Sequence, residues 1–255
     1  MNNCSCINAR RLFYPGMSLS MFARGIKIVI LALLCLNLPS AFAGIVVGGT
    51  RVIFHGNDPD STISIYNKEV DLPYLIQVWV DPFSKDDKSK PPFTVIPPVS
   101  RLEPSQEKVL RIIKTAGELP KDRESVFWFN VKNIPPSSKN KDSSTLEIAI
   151  KTRIKLFWRP ASITLIPEKA VAKVKWYRQG SKLVVENNSP IHMNIMDVSV
   201  DGKDVPLNMI KPFEKLTLDL PTGVTGHALA WRFINDYGAI SSLLSKRFSF
   251  AIRIS

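Results

Sequence analysis

Residues 145–160 read TLEIAIKTRIKLFWRP, and the alternation within this run decides the predicted fold. Leu146, Ile148 and Ile150 are separated by single residues, and the same apolar face continues toward the end of the run. A two-residue period places alternate side chains on opposite faces of a β-strand. Most strands in globular proteins have about five or six residues. The run therefore predicts an unusually long strand in a chain built mainly of strands.

The same two-residue period recurs through most of the chain before Pro160. Turn-rich or charged connectors such as HGNDPD (55–60) separate the alternating segments, and the 19 prolines argue against long helices. Seven short strands at this spacing predict an all-β domain, an immunoglobulin-like sandwich over residues 44–160. The predicted strands cover residues 45–54, 61–67, 73–81, 93–102, 108–115, 124–134 and 145–158.

A second set of alternating segments follows Pro160 and predicts a smaller all-β domain over residues 161–255. The link between the two domains, RPAS (159–162), is too short to let them move independently. We therefore expect the domains to meet at a fixed angle and to form a cleft. The predicted strands of the second domain cover residues 172–180, 181–188, 192–202, 214–220, 227–236 and 244–253.

The first 43 residues have the pattern of a secretory signal peptide. Arg24 and Lys27 precede the apolar run IVILALLCLNL (28–38), which is too short to span a bilayer. The sequence Ala-Phe-Ala that ends at Ala43 matches the small-residue pattern of a cleavage site. We predict cleavage after Ala43 and an exported mature chain, with no membrane insertion. The initiator is one of three methionines: Met1, Met17 or Met21.

The predicted mature chain contains no cysteine, because Cys4, Cys6 and Cys35 all lie in the signal segment. It therefore has no disulfide, no thiol nucleophile and no thiolate metal site. With 30 Lys and Arg against 22 Asp and Glu, its net charge is +8. A basic exported protein suits an acidic partner, but this charge is equally typical of a solvated surface.

The residue inventory argues against an enzyme, a metal site and a cofactor. The three histidines are far apart and do not have metal-ligand spacing, and neither a nucleophile elbow nor a phosphate-binding glycine loop is present. A catalytic triad assembled from distant residues stays open. Lysines and arginines are scattered over both domains rather than gathered with aromatics, which disfavours nucleic-acid binding.

Two interpretations of the long strand at 145–158 remain. Its apolar face can cover the core of its own domain, as in any sandwich. Alternatively, as the last strand of its domain, it is an exposed edge. Long apolar edges are normally avoided because they pair with other chains. Such an edge would then serve to bind another polypeptide.

Six segments, taken in order, carry a resemblance to a known family: GGTRVIF (48–54), LPYLIQVWV (72–80), PPVSRLEP (97–104), DRESVFWFNVKNIPP (122–136), TLEIAIKTRIKLFWRP (145–160) and INDYG (234–238). They resemble the periplasmic chaperones of pilus assembly, the PapD-like family. The resemblance covers essentially the whole mature chain and is densest in the first domain.

This resemblance implies two immunoglobulin-like sandwich domains at an angle, with a cleft between them and a boomerang shape. It also implies a chaperone that binds pilus or fimbrial subunits lacking their last strand, lends its own seventh strand to fill the gap, and delivers them to an outer-membrane usher. This mechanism is donor-strand complementation, a known form of strand addition. The resemblance implies no cofactor and no enzymatic activity, and it allows a self-capped dimer.

The resemblance also assigns residues to the binding of a subunit. Leu146, Ile148 and Ile150 match the donor-strand residues that fill the groove of the subunit. Arg51 and Lys155 match the two cations that bind the C-terminal carboxylate of the subunit. A guanidinium and an ammonium both donate charge-assisted hydrogen bonds, so the chemistry suits a carboxylate.

A third group of residues, Glu124, Arg159 and Asp236, matches an ion-pair network between the two domains of the family. A planar guanidinium can bind two carboxylates at once, which would fix the orientation of the domains. The sequence departs from the family pattern at Trp158, which replaces a commoner tyrosine. The connector at 135–144 is short, which is typical of the branch of the family associated with rod-like pili. The alternative function is a periplasmic adaptor that binds an acidic polymer or another exported protein.

Overall fold

The computed structural model describes residues 44–115, 117–136 and 148–248, and in these ranges the chain is mainly strand, which confirms the predicted all-β class. The helical segments there are α1 (Pro167–Ala170) and one 3₁₀ turn (Val171–Lys173). No helix in the described part of the chain is long and apolar enough to cross a membrane.

The described residues of the first sandwich form nine strands: β1 (Ile45–Val47), β2 (Arg51–His55), β3 (Asp60–Asn67), β4 (Tyr74–Pro82), β5 (Phe93–Ile96), β6 (Val99–Leu102), β7 (Glu107–Lys114), β8 (Ser125–Ile134) and β9 (Ile150–Arg159). One sheet has the order β1-β3-β7-β5, and the other has the order β2-β9-β8-β4-β6. All neighbours in these sheets are antiparallel except β2 and β9, which are parallel. This parallel pair brings together the beginning and the end of the sandwich.

Alternate side chains from both sheets form the first core. Ile65, Leu110 and Ile112 from one sheet and Ile76 and Phe129 from the other are completely buried. These residues occupy the apolar positions of the two-residue period, so the alternation in the sequence directly identifies the inward faces.

Two segments predicted as single strands, 45–54 and 93–102, instead form two strands each, in different sheets. The first segment contains a Gly-Gly pair between β1 and β2, which carries no side chain to hold the chain in either sheet. The second contains Pro97 and Pro98, which have no N–H to continue a strand ladder. In both segments the core-facing positions change from odd to even numbers across the break, from Ile45 and Val47 to Val52 and Phe54 and from Phe93 and Val95 to Leu102.

The strand β9 is an edge over only half of its length, which corrects the expectation that the whole strand is an edge. Residues 155–158 lie between β2 and β8. Within the described residues, positions 150–154 pair with β8 alone. Leu156 and Trp158 are buried in the first core, so both interpretations of this strand hold, each for a different half.

As far as residue 248, where the described part of the chain ends, the second sandwich has eight strands: β10 (Val174–Gln179), β11 (Lys182–Asn187), β12 (Met193–Val200), β13 (Lys203–Asp204), β14 (Met209–Ile210), β15 (Lys215–Asp219), β16 (Ala228–Ile234) and β17 (Leu244–Arg247). One sheet has the order β10-β11-β15, and the other has the order β13-β12-β16-β17, with β14 also paired to β12. Trp176 and Trp231 lie in the second core with their ring centroids 5.3 Å apart. The two-residue strands β13 and β14 were not predicted, because they are too short to show a period.

We expect Leu156→Ala to lower the free energy of unfolding by about 2–5 kcal/mol, because it removes a completely buried side chain and leaves a cavity. The matched substitution Ile150→Ala lies on the same face of the same strand but at an exposed position. It should change this free energy by less than about 0.5 kcal/mol. Urea denaturation measures both variants. Equal losses would contradict the division of β9 into a buried half and an open half.

Candidate functional site

The open half of β9 presents apolar side chains to solvent. Ile148 is 62% exposed and Ile150 is 57% exposed, although both continue the face that carries the buried Leu156. The neighbouring strand β2 begins only opposite Lys155, so in the described residues no strand lies beside positions 150–154 on that side. An edge of this kind offers unpaired backbone N–H and C=O groups together with apolar side chains.

Two cations lie side by side where the open edge ends. Arg51, the first residue of β2, is the register partner of Lys155 on β9. Neighbouring residues in register point to the same face of a sheet, so the two side chains are close together. This pair lies on the face opposite to the core, at the point where β9 changes from an edge strand to an inner strand.

Neither cation is neutralised within the part of the chain that the structure describes. Lys155 Nζ donates a hydrogen bond to Oδ1 of Asn194 at 2.7 Å, and this acceptor is uncharged. The buried Nε of Arg51 has no hydrogen-bond partner there. No carboxylate in the described residues lies within salt-bridge distance of either side chain.

Burial and the positive charge of Arg51 together lower the pKa of Lys155 to about 8. Burial also lowers the pKa of Arg51, an effect that the carboxylates of Asp236 and Glu124 partly offset. Both shifts mean that the fold disfavours the charged forms of the two side chains. A carboxylate between them would reverse that effect, so the geometry and the electrostatics are those of an anion-binding site.

A second group of charges lies around Arg159, four residues after Lys155 on the same face of β9. These charges neutralise one another within the protein. The guanidinium of Arg159 donates to Asp236 at 2.6 and 2.8 Å and to Glu124 at 3.0 Å. Glu124 Oε2 also accepts the backbone N–H of His192 at 2.8 Å and lies 2.8 Å from Nδ1 of the same residue. Arg159 and Glu124 are almost completely buried.

This network connects the two sandwiches. Glu124 immediately precedes β8 and Arg159 ends β9, both in the first sandwich, whereas Asp236 follows β16 and His192 precedes β12, both in the second. The ring of His192 also lies 5.5 Å from that of Phe157, measured between centroids. Charge-assisted hydrogen bonds of fixed direction set an orientation more reliably than they add stability, because burying the charges is itself unfavourable.

The structure therefore places most of the residues that the sequence singled out. It brings Arg51 beside Lys155 and joins Glu124, Arg159 and Asp236 in one network. It leaves Ile148 and Ile150 exposed. Leu146 lies outside the described residues.

Sequence reasoning missed the contribution of His192 and Asn194. Both act through contacts with the first sandwich, and no spacing in the sequence signals such contacts. In the described ranges, no group of three or more His, Cys, Asp or Glu side chains is arranged to hold a metal ion.

Two immunoglobulin-like sandwiches, with an open strand edge beside two cations that lack a carboxylate partner in the described residues, are typical of chaperones that work by strand addition. Comparison with known families agrees. The model described as "Pili and flagellar-assembly chaperone, PapD N-terminal domain" matches residues 44–164, and "Pili assembly chaperone PapD, C-terminal domain" matches residues 169–244. The chain belongs to the PapD-like family of pilus-assembly chaperones.

Individual relatives cover nearly the same part of the chain. Chaperone protein FocC of Escherichia coli is 35% identical over 206 residues, which are 80% of this chain and 90% of FocC. The SafB chaperone of Salmonella enterica, solved in complex with the SafA pilin, superposes with a TM-score of 0.72 at 34% identity, covering 83% of this chain and 99% of the matched chain. The E. coli chaperone DraB superposes with a TM-score of 0.69 at 36% identity, with coverage of 82% and 97%.

The lowered pKa of Lys155 predicts a pH-dependent effect on stability. Because this pKa is about 8 in the folded protein and ordinarily 10.5, the destabilising effect of the charged lysine is fully present below pH 8. That effect should disappear as the pH rises from about 8 to 10.5. The stability of the wild type should therefore rise across this range relative to that of Lys155→Met. Chemical denaturation of both proteins at several pH values measures the difference, and a pH-independent difference would contradict the assignment.

Proposed function

We propose that this protein is a periplasmic chaperone that binds, folds and caps fimbrial subunits and delivers them to an outer-membrane usher. One observation carries the proposal: an apolar strand edge that is open to solvent ends at two adjacent cations without a carboxylate partner among the described residues. SafB, which is similar to this chain over most of its length, was solved with a pilin bound. Membership of the chaperone family favours this function over that of an adaptor for acidic polymers.

The open half of β9 acts as the donor strand. A subunit strand that pairs with positions 150–154 satisfies the backbone groups that lack a partner on this side. Leu146, Ile148 and Ile150 then fill the apolar groove of a subunit that lacks its own last strand. At about 2 kcal/mol for each large apolar side chain, three such contacts contribute about 6 kcal/mol before the cost of ordering the partners.

The cation pair binds the C-terminal carboxylate of the subunit and thereby sets the direction of its last strand. The open edge runs from Ile150 toward Lys155, and Arg51 blocks further pairing because β2 begins there. A strand whose C-terminus reaches the cations while it pairs with this edge must run parallel to β9. Such a strand lies in line with β2, in the space before its first residue, Arg51. It therefore extends the sheet without displacing any strand.

This function gives a separate role to each of three segments of the chain. Residues 1–43 form a signal peptide that is cleaved after Ala43, so the chaperone folds in the periplasm. Residues 44–160 form the N-terminal domain that provides the donor strand, and residues 161–255 form the C-terminal domain. Support for this boundary comes from the cores: Trp158 packs in the first core, whereas Ile163 packs against the second. The protein catalyses no covalent reaction and uses no cofactor.

Arg51→Ala or Lys155→Ala should abolish the complex with a fimbrial subunit, because each removes one of the two cations that bind its carboxylate. The test is to express each variant with the subunits encoded beside its gene and to measure the chaperone–subunit complex recovered from the periplasm. Lys175→Ala is the matched control, since Lys175 is exposed on β10 of the second sandwich. Undiminished complex in both variants, with folded protein, would refute the assignment of Arg51 and Lys155.

Ile148→Asp should weaken subunit capture by at least about tenfold, because it places a charge in the apolar groove of the subunit. The free protein should keep the stability of the wild type, since the side chain is mostly exposed. Capture is measured by coexpression and stability by thermal unfolding. A variant that captures subunits normally, or one that fails to fold, would contradict the donor-strand role.

A further inference from the structure

The outward face of the sheet beside the open edge carries a row of positive charge that extends beyond the two cations already described. Lys151, Arg153 and Lys155 alternate along β9 on this face. Lys132 on β8 is the register partner of Lys151. We call Lys151 and Arg153 the edge cations. They lie beside the backbone positions that are open for pairing, whereas Lys155 lies where the opening ends.

A single carboxylate, Asp81, is within salt-bridge distance of the edge cations in the described residues. Its Oδ2 lies 3.7 Å from Lys151 Nζ and 3.6 Å from Arg153 Nη2, and it accepts a hydrogen bond from Asn130 Nδ2 at 3.1 Å. Both ion-pair distances are longer than a hydrogen bond, and one carboxylate is shared between two cations. The edge cations therefore keep a net positive charge.

Aromatic rings hold these side chains in place. Lys151 Nζ lies 4.8 Å from the ring centroid of Trp79, and Arg153 Cζ lies 5.2 Å from that of Trp128. Arg153 Nε also donates to Oδ1 of Asn130 at 2.9 Å. These contacts lie on β8 and β4, on the side of β9 away from the open edge, so both side chains turn from them to reach an incoming strand. The side chains of Lys151 and Arg153 remain 38% and 37% exposed, so they are accessible.

We propose that the subunit strand received at this edge carries acidic side chains at alternate positions, opposite Arg153 and Lys151. This inference rests on the proposed function, because it uses the parallel direction set by the carboxylate site. Residues of neighbouring strands that are in register share a face. Because Arg51 already occupies the position beside Lys155, the subunit strand pairs no further than Ile154, and two alternate residues near its end lie beside Arg153 and Lys151.

The opposite face of the same edge is mainly apolar, so it favours apolar rather than acidic residues in the subunit strand. Ile150, Thr152 and Ile154 continue the core face of β9. The intervening residues of the subunit strand lie beside these side chains and should be apolar. The edge therefore selects a strand that alternates acidic and apolar residues and ends in a free carboxylate. An acidic polymer lacks the apolar side chains that this face requires.

Four synthetic peptides of roughly nine residues test this selection, with affinity for the complete mature protein measured by calorimetry at low ionic strength. The first has valine at alternate positions, glutamate opposite both edge cations and a free C-terminus. In the second, glutamine replaces both glutamates. In the third, the same residues are permuted so that the glutamates lie on the valine face. The fourth is the first peptide with a C-terminal amide.

We expect the first peptide to bind about tenfold more tightly than the second, since each cross-strand charge pair contributes a factor of about three. Lys151→Gln combined with Arg153→Gln should remove this preference. Lys175→Gln combined with Lys215→Gln changes the net charge equally at exposed positions of the second sandwich, and it should leave the preference intact.

Equal binding of the first and second peptides by the wild type would overturn the inference. So would equal binding of the first and third, which would indicate a general attraction for anions without a strand register. The fourth peptide, which has a C-terminal amide, tests the carboxylate site of the proposed function instead. If it binds as tightly as the free acid, the carboxylate site is wrong, whereas the ratio between the glutamate and glutamine peptides still reports on the edge cations.

Discussion

The register between β2 and β9 is the constraint on which the rest of the site depends. Because β2 begins at Arg51 and this residue pairs with Lys155, β9 has a neighbour on that side only from Lys155 onward. The same register makes the two cations neighbours and leaves the preceding part of β9 open. A shift of one residue would turn Arg51 toward the core and would separate the open edge from the positive charge that ends it.

The two groups of cations in this protein differ in whether carboxylates neutralise them. Arg159 is deeply buried, yet two carboxylates from different sandwiches neutralise it, so its charge is used to hold the fold together. Arg51 and Lys155 are less buried but have only the neutral Asn194 as a hydrogen-bond partner in the described residues. Their charge is therefore available to an incoming anion. Burial makes the charged state of these two cations unfavourable in the free protein, and a carboxylate placed between them would offset that cost.

Much of the fold could be predicted because burial follows a local period. The alternating residues Ile63 and Ile65 of β3 and Leu110 and Ile112 of β7 are buried in the structure. The strand β8 follows the period less closely, because Asn130 and Asn133 are buried there as well. The breaks at the Gly-Gly pair and at Pro97 and Pro98 were missed, although glycine and proline are the residues that interrupt strands. The partnership of Arg159 with Glu124 and Asp236, which are 35 and 77 residues away in sequence, came from the family resemblance. No local pattern could have supplied it.

The sequence by itself determined that the chain is all-β, which face of each long strand is apolar, and that apolar alternation in β9 extends beyond what one core needs. These properties depend on side chains that are close together along the chain. Only the tertiary structure decided where β9 stops being an inner strand and which charges lack partners. Those properties depend on strands that are distant in sequence, and a period of two residues contains no information about which strand will become a neighbour.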